Sequence, residues 1–321
     1  MKKRILTLLL CLAAVPAVYA QTAQAYIKLA VNKERNRNHA GAIEDLDKAI
    51  AIEPNNVTAY TYRGISKNSM KLYAAAIQDF NKALAINPNF APAYNDRGNS
   101  KRRLKMYDDA LADYNQALFI NARYALAYHN RAALKAEQNQ FAEAILDFDK
   151  AILLDTAYQQ SFHGRGNAKA KLGQYKEAVA DFDRAIEIDA EFTAAYLDRA
   201  AAKEQLGRYA DAIADIDKAV TLKVTDAQAY YSRAENEEKM NNFTDAITDL
   251  NKAVNIKPKY AEAYNSRGYA YYKLGETKEN YQQAVIDYDM AVAIGGPDYK
   301  PLYKYRPLAV MGMGSGLLLK Q

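Results

Sequence analysis

Two helical stripes of apolar positions, parted by a short break, recur along this chain every 34 residues. Counting each unit from Val57, slot 4 is aromatic at Tyr60, Tyr94, Tyr128, Phe162, Tyr196, Tyr230 and Tyr264. Slot 8 is small at Gly64, Gly98, Ala132, Gly166, Ala200, Ala234 and Gly268. Slots 20 and 27 are Ala throughout, as in Ala76 and Ala83, and slot 24 is large at Phe80, Tyr114, Phe148, Phe182, Ile216 and Leu250. This spacing predicts an antiparallel pair of helices in each unit. The break often reads Leu-Gly, as at Gly173, Gly207 and Gly275, where glycine supplies the positive φ that ends a helix.

A unit of this size buries little by itself, so neighbours must stack into one continuous core. Small residues at slots 8, 20 and 27 let backbones approach, and the rings at slots 4 and 24 fill the space left. The pattern resembles the tetratricopeptide repeat, over nearly the whole chain after residue 20. Eight units follow in frame, at 23–56, 57–90, 91–124, 125–158, 159–192, 193–226, 227–260 and 261–297, the last with four extra residues after Gly275. The resemblance implies an all-α fold, a right-handed superhelical solenoid of antiparallel helix pairs with a concave groove. It also implies a non-enzymatic scaffold.

Two slots depart from the general family pattern. Slot 7 is Arg63, Arg97, Arg131, Arg165, Arg199, Arg233 and Arg267, and slot 23 is Asp79, Asp113, Asp147, Asp181, Asp215, Asp249 and Asp287. In a helix pair folded near slots 15 and 16 these lie at one height, which predicts a ladder of partly buried ion pairs. Identical recurrence marks a packing rule rather than a ligand site. The first unit has Leu29 at slot 7, as an atypical end unit would.

A second stripe on the first helix, at slots 2, 5, 9 and 12, varies between units, and the resemblance places it on the concave groove. Its first zone is polar: Asn95, Asn99, Arg102, His129, Asn130, His163 and Asn167. Such side chains suit the backbone of an extended peptide. A second zone is acidic, with Glu204, Glu235 and Glu238, and a third aromatic, with Tyr231, Tyr269 and Tyr272. Of 26 tyrosines, seven of the eight outside the framework slots and residues 1–20 fall at or after Tyr231, which marks either an interface or a covered end. His129 and His163 share slot 5 but have no further metal ligand in frame. Slot 5 holds no Lys, so the carboxylate clamp of some tetratricopeptide domains is not expected.

Residues 1–20 read as a secretory signal peptide: a start of Lys2, Lys3 and Arg4, an apolar run over 5–18, and a cut after Ala20. The run is too short for a membrane span, which needs roughly 20 apolar residues. Leu10 stands where lipidation of Cys11 would need a small residue. Cleavage would leave a chain without cysteine and with a net charge of +2 rather than +5, with no basic face for nucleic acid. No phosphate loop, metal-spaced set or catalytic constellation occurs, so neither enzyme activity nor a cofactor is expected. Residues 298–321 leave the repeat, as a cap or a docking tail. The expected role is an exported, bacterial adaptor of the periplasm or cell envelope that holds an extended segment of another protein. The alternative is a scaffold of a polysaccharide-export or envelope-assembly machine whose tyrosine-rich end contacts glycan.

Overall fold

A computed structural model of the chain describes residues 22–222, 226–275, 277–296 and 305–314. The expected signal peptide and most of the expected tail lie outside the described residues. Within them the regular elements are seventeen α-helices, with no strand. They fall into two compact units, Met1–Leu134 and Lys135–Gln321. The first holds α1 (Ala23–Arg35), α2 (His39–Ile52), α3 (Val57–Ser69), α4 (Tyr73–Ile86), α5 (Ala91–Arg103), α6 (Tyr107–Ile120) and most of α7 (Ala125–Glu137). The second holds α8 (Phe141–Leu154), α9 (Gln159–Lys171), α10 (Tyr175–Ile188), α11 (Thr193–Gln205) and α12 (Tyr209–Thr221). It continues through α13 (Ala227–Lys239), α14 (Phe243–Ile256), α15 (Ala261–Leu274), α16 (Lys278–Gly295) and α17 (Arg306–Gly314).

In each unit consecutive helices pack on one another, and the first helix of one repeat also touches the first helix of the next, as α1 on α3 and α9 on α11. The pairs are antiparallel. Slot 11 reaches slot 19, with Lys33 Nζ donating to the Gly41 carbonyl at 3.2 Å, while slot 7 reaches slot 23, with Arg63 donating to Asp79.

Slot 15 takes a left-handed conformation in every repeat: Arg37, Lys71, Lys105, Asn139, Gly173, Gly207, Asn241 and Gly275 all have positive φ. The closing bonds are those of a Schellman turn, with Leu72 N donating to Lys67 O at 2.9 Å and Lys71 N to Asn68 O at 2.9 Å. Glycine adopts this conformation without a Cβ clash, whereas an ordinary L-residue bears a cost of about 1–2 kcal/mol. Lys105→Gly is therefore expected to raise stability by about 1 kcal/mol. A urea midpoint that falls would refute this account of the turn.

The alanines of slots 20 and 27 are buried, from Ala42 and Ala49 to Ala284 and Ala291. Slot 8 is matched to slot 24 except in the repeat of Ala132, where the Phe148 ring lies instead against Gly164 of the next repeat. A Cβ on Gly64 would stand 2.7 Å from the Phe80 ring, on Gly98 2.8 Å from the Tyr114 ring, and on Gly166 2.7 Å from the Phe182 ring. Where slot 24 is aliphatic, as Leu46, Ile216 and Leu250, slot 8 has the methyl of Ala30, Ala200 and Ala234. Gly166→Ala is thus expected to destabilise, because overpacking at about 1–3 kcal/mol outweighs a helix-propensity gain of about 1 kcal/mol. In a Phe182→Leu background the same change is expected to stabilise. A melting shift of one sign in both backgrounds would break the pairing rule.

Candidate functional site

The ion-pair ladder is a packing device with three arms. Arg63, Arg97, Arg165, Arg199, Arg233 and Arg267 each fork onto Asp79, Asp113, Asp181, Asp215, Asp249 and Asp287, with Nη2–Oδ1 distances of 2.5–2.7 Å. Each guanidinium also reaches slot 25 of the preceding repeat through Nη1, as Arg63 to Asp47 at 2.6 Å and Arg97 to Asn81 at 2.6 Å. Arg131 does the same to Asn115 at 2.7 Å. The ladder therefore ties repeat to repeat as well as helix to helix. A lysine at slot 11 adds a second cation to the carboxylate: Lys67 on Asp79, Lys101 on Asp113, Lys135 on Asp147, Lys169 on Asp181 and Lys203 on Asp215, at 2.7–2.8 Å. In the first repeat, which lacks the arginine, Lys33 holds Asp45 at 2.6 Å. Each guanidinium also covers the slot 4 ring, as Arg63 lies 5.3 Å from the Tyr60 centroid.

Slot 5 is buried against the next repeat at several positions, whereas Leu197 at the same slot lines a cavity in the second unit. Asn95 is fully buried, and its Oδ1 accepts from Asn130 Nδ2 at 2.9 Å while its Nδ2 donates to Asp96 at 3.0 Å. Thr61 and Asn265 are buried at the same slot. In the second unit His163 Nε2 lies 2.7 Å from Asp198 Oδ2, its ring 4.8 Å from Phe192 and 5.7 Å from Phe182. Asn167 lies 3.4 Å from that imidazole. Slot 5 thus bonds slot 6 of the following repeat, because the first helices of successive repeats touch along this line. Burial and the nearby charge of Arg102 push His129 down to about 4, so it is neutral at pH 7.

Slots 9 and 12, together with slot 6, open onto a cavity in the first unit. In the first unit Ile65, Asn68, Asp96, Asn99, Arg102 and Asn130 line a space of about 420 Å³. Two amides there are half committed: Asn68 Oδ1 accepts from Ser100 at 2.8 Å, and Asn99 Oδ1 accepts from Tyr114 at 2.7 Å. Each keeps its NH2 as a donor. Asn130 has the opposite polarity, since its Nδ2 is spent on Asn95 and its carbonyl oxygen remains. Asp96 adds a carboxyl pushed up to about 6 by burial, against the hydrogen bond from Asn95. The wall carries donors and acceptors side by side.

In the second unit the acidic and aromatic residues come together. Tyr231 donates to Glu235 Oε1 at 2.9 Å, and burial with the charges of Glu235 and Tyr260 raises its hydroxyl. Glu238 is pushed up to about 8 by burial and then by Glu235, against Lys239. Tyr269 and Tyr272 are half-buried: their rings pack at 5.2 and 5.4 Å on Tyr305, just ahead of α17. Arg306 forks onto Asp289 at 2.6 and 2.9 Å, and Ala309 is buried beside Tyr288 and Ala284. Asp289 occupies the slot 25 position that takes the next repeat's arginine elsewhere. With no further repeat among the described residues, α17 supplies that arginine and covers the end.

Family models described as tetratricopeptide repeat match residues 57–90, 23–56 and 193–223, and one described as TPR repeat matches 166–207 and 239–275. The chain belongs to the tetratricopeptide repeat family. Among curated proteins none matches it. Solved structures carry the same fold. A tetratricopeptide repeat protein from Parabacteroides merdae is 22% identical with a TM-score of 0.54, over 77% of this chain and 98% of that one. YrrB, described as a TPR protein with an unusual peptide-binding site, is 25% identical with a TM-score of 0.51, over 57% of this chain and 95% of that one. The APC/C hetero-tetramer Cut9-Hcn1 is similar at 18% identity and a TM-score of 0.63, over 77% of this chain and 48% of that one. Tetratricopeptide stacks of this kind are scaffolds, a fold typical of protein–protein interaction and generally non-enzymatic. No described helix is long and apolar enough to cross a membrane.

Proposed function

We propose that this tetratricopeptide protein is an adaptor that binds an extended peptide segment of another protein, with the amide-lined cavity of the first unit as its reading site. The observation that carries this is the mixed polarity of that wall, where the NH2 groups of Asn68 and Asn99 stand beside the Asn130 oxygen and Asp96. An extended backbone presents one donor and one acceptor per residue, which is the complement of such a wall. The peptide-binding site named for YrrB supports the same reading. Export to a bacterial envelope is proposed on the pattern of residues 1–20 alone, and N-terminal sequencing of the secreted or periplasmic protein tests it.

Peptides selected from a random display library on the full chain provide the test. Asn99→Ala is expected to weaken a selected peptide by about 5–10-fold, the worth of one hydrogen bond. N-methylation of the peptide amide whose N–H meets the Asn130 oxygen should do the same. A library that yields no binder, or binders indifferent to both changes, would sink the proposal.

A further inference from the structure

The second unit contains a cavity of about 280 Å³ between α11, α12 and α13. Slot 24 carries a ring in the preceding repeat, Phe182, but Ile216 here, and slot 9 is reduced to the methyl of Ala201. Leu197, Ala201 and Ile216 give this shaft an apolar wall.

Gln228 and Ser232 in its wall bond each other at 3.4 Å. Asp198 also meets His163 at 2.7 Å and Asp226 also accepts from Gln228 N at 3.1 Å, and the charge of the lining is negative. Asp198, Glu204 and Asp226 line it with carboxylates. Asn236 lies at its side, 1% exposed, with Nδ2 donating to the Ser232 carbonyl at 2.8 Å. That bond fixes the amide orientation and leaves Oδ1 buried with no hydrogen-bond donor. A buried acceptor without a donor is unfavourable, and a donor from a bound group would satisfy it. The nearest lysine of α11, Lys203, is committed to Asp215 at 2.7 Å. Glu235, raised by burial and by the Glu204 charge, extends the same negative field.

We infer that this cavity is a subsite for one basic side chain, lysine or arginine, of a bound protein segment, with the apolar shaft taking the methylenes and the carboxylates with Asn236 taking the charged head. The inference rests on the peptide-binding reading above and gives it a partner class. Long cationic side chains are built for such a site, since an apolar stem ends in a head that carries only donors. An acidic or purely apolar residue would leave these acceptors unmatched.

The probes are Ac-Gly-Lys-Gly-amide, Ac-Gly-Arg-Gly-amide and the norleucine analogue, an uncharged mimic of the lysine stem. Saturation-transfer NMR titration with the full chain reads their binding. The lysine or the arginine probe is expected to saturate in the millimolar range and to bind about tenfold more tightly than norleucine. The stronger of the two cations identifies the head group. Ala201→Leu, a change at an exposed wall residue, should plug the shaft and abolish binding, and Glu204→Gln should weaken it about fivefold. Unchanged melting curves for both variants confirm that the fold is retained. Equal binding of norleucine, no binding of either cation, or indifference to Ala201→Leu each overturns the assignment. None of these variants touches the cavity of the first unit, so failure here leaves the display-library result standing.

Discussion

Changing Arg165 and Lys169 together to leucine is expected to cost about 3–5 kcal/mol, well above the sum of the two single changes. Asp181 is nearly enclosed, with 6% of its side chain exposed, and both cations reach it, Arg165 at 2.5 Å and Lys169 at 2.8 Å. Either cation alone keeps the carboxylate compensated, so each single variant should lose only about 1 kcal/mol. Removing both strands a buried charge. Adding Asp181→Leu to the double variant should restore much of the loss, because an apolar trio of similar volume needs no compensation. Urea unfolding of the four variants reads the cycle. Strict additivity of the two single changes would mean that the cations act independently and that the carboxylate is solvated.

This shared carboxylate shows where the sequence was legible and where it was not. The Arg–Asp recurrence is visible as an identity repeated every 34 residues, and the helix pair that joins it follows from the spacing. Lysine at slot 11 recurs almost as often, but a cation one turn from an arginine reads equally well as a solvated face. Slot 25 hides more deeply, since it alternates between Asp47 or Asp149 and Asn81 or Asn115, a shared acceptor rather than a shared residue. The break between helices is written plainly at Gly173 and Gly207, yet Lys71 and Lys105 adopt the same φ with nothing in their chemistry to announce it. At slot 5 the burial of Asn95 against the next repeat has a geometric reason. Periodicity gives the angle of Asn95 or His163 around its own helix, but not whether that angle meets solvent or the next repeat. The terminal tyrosines follow the same logic: their excess near Tyr269 is evident in the sequence, and their packing on Tyr305 beside the Arg306–Asp289 pair is not.

Glu238→Gln is expected to stabilise the protein increasingly from about pH 5 to pH 8, by about 2–4 kcal/mol at the upper end after allowance for solvent screening. The carboxyl sits at about 8 in the folded protein against an ordinary 4.5, because burial and the Glu235 charge both disfavour its ionised form. Its Oε1 is buried and accepts no hydrogen bond. Below pH 4.5 both the folded and the unfolded chain hold the proton, and the group contributes no difference. Between 4.5 and 8 the unfolded chain has released it while the folded protein retains it, so stability falls as pH rises. Above 8 both states are ionised and the loss is complete. Glutamine keeps the shape and removes the titration, so the difference between variant and wild type should be smallest at pH 4, widen to pH 8 and then level off. Other shifted groups, such as Asp96, titrate alike in both proteins and cancel in that difference. Glu235→Gln should move the curve toward lower pH, since it removes the charge that assists the shift. A pH-independent offset between wild type and Glu238→Gln would show that Glu238 is solvated, and that the acid–tyrosine cluster at this end holds no buried proton.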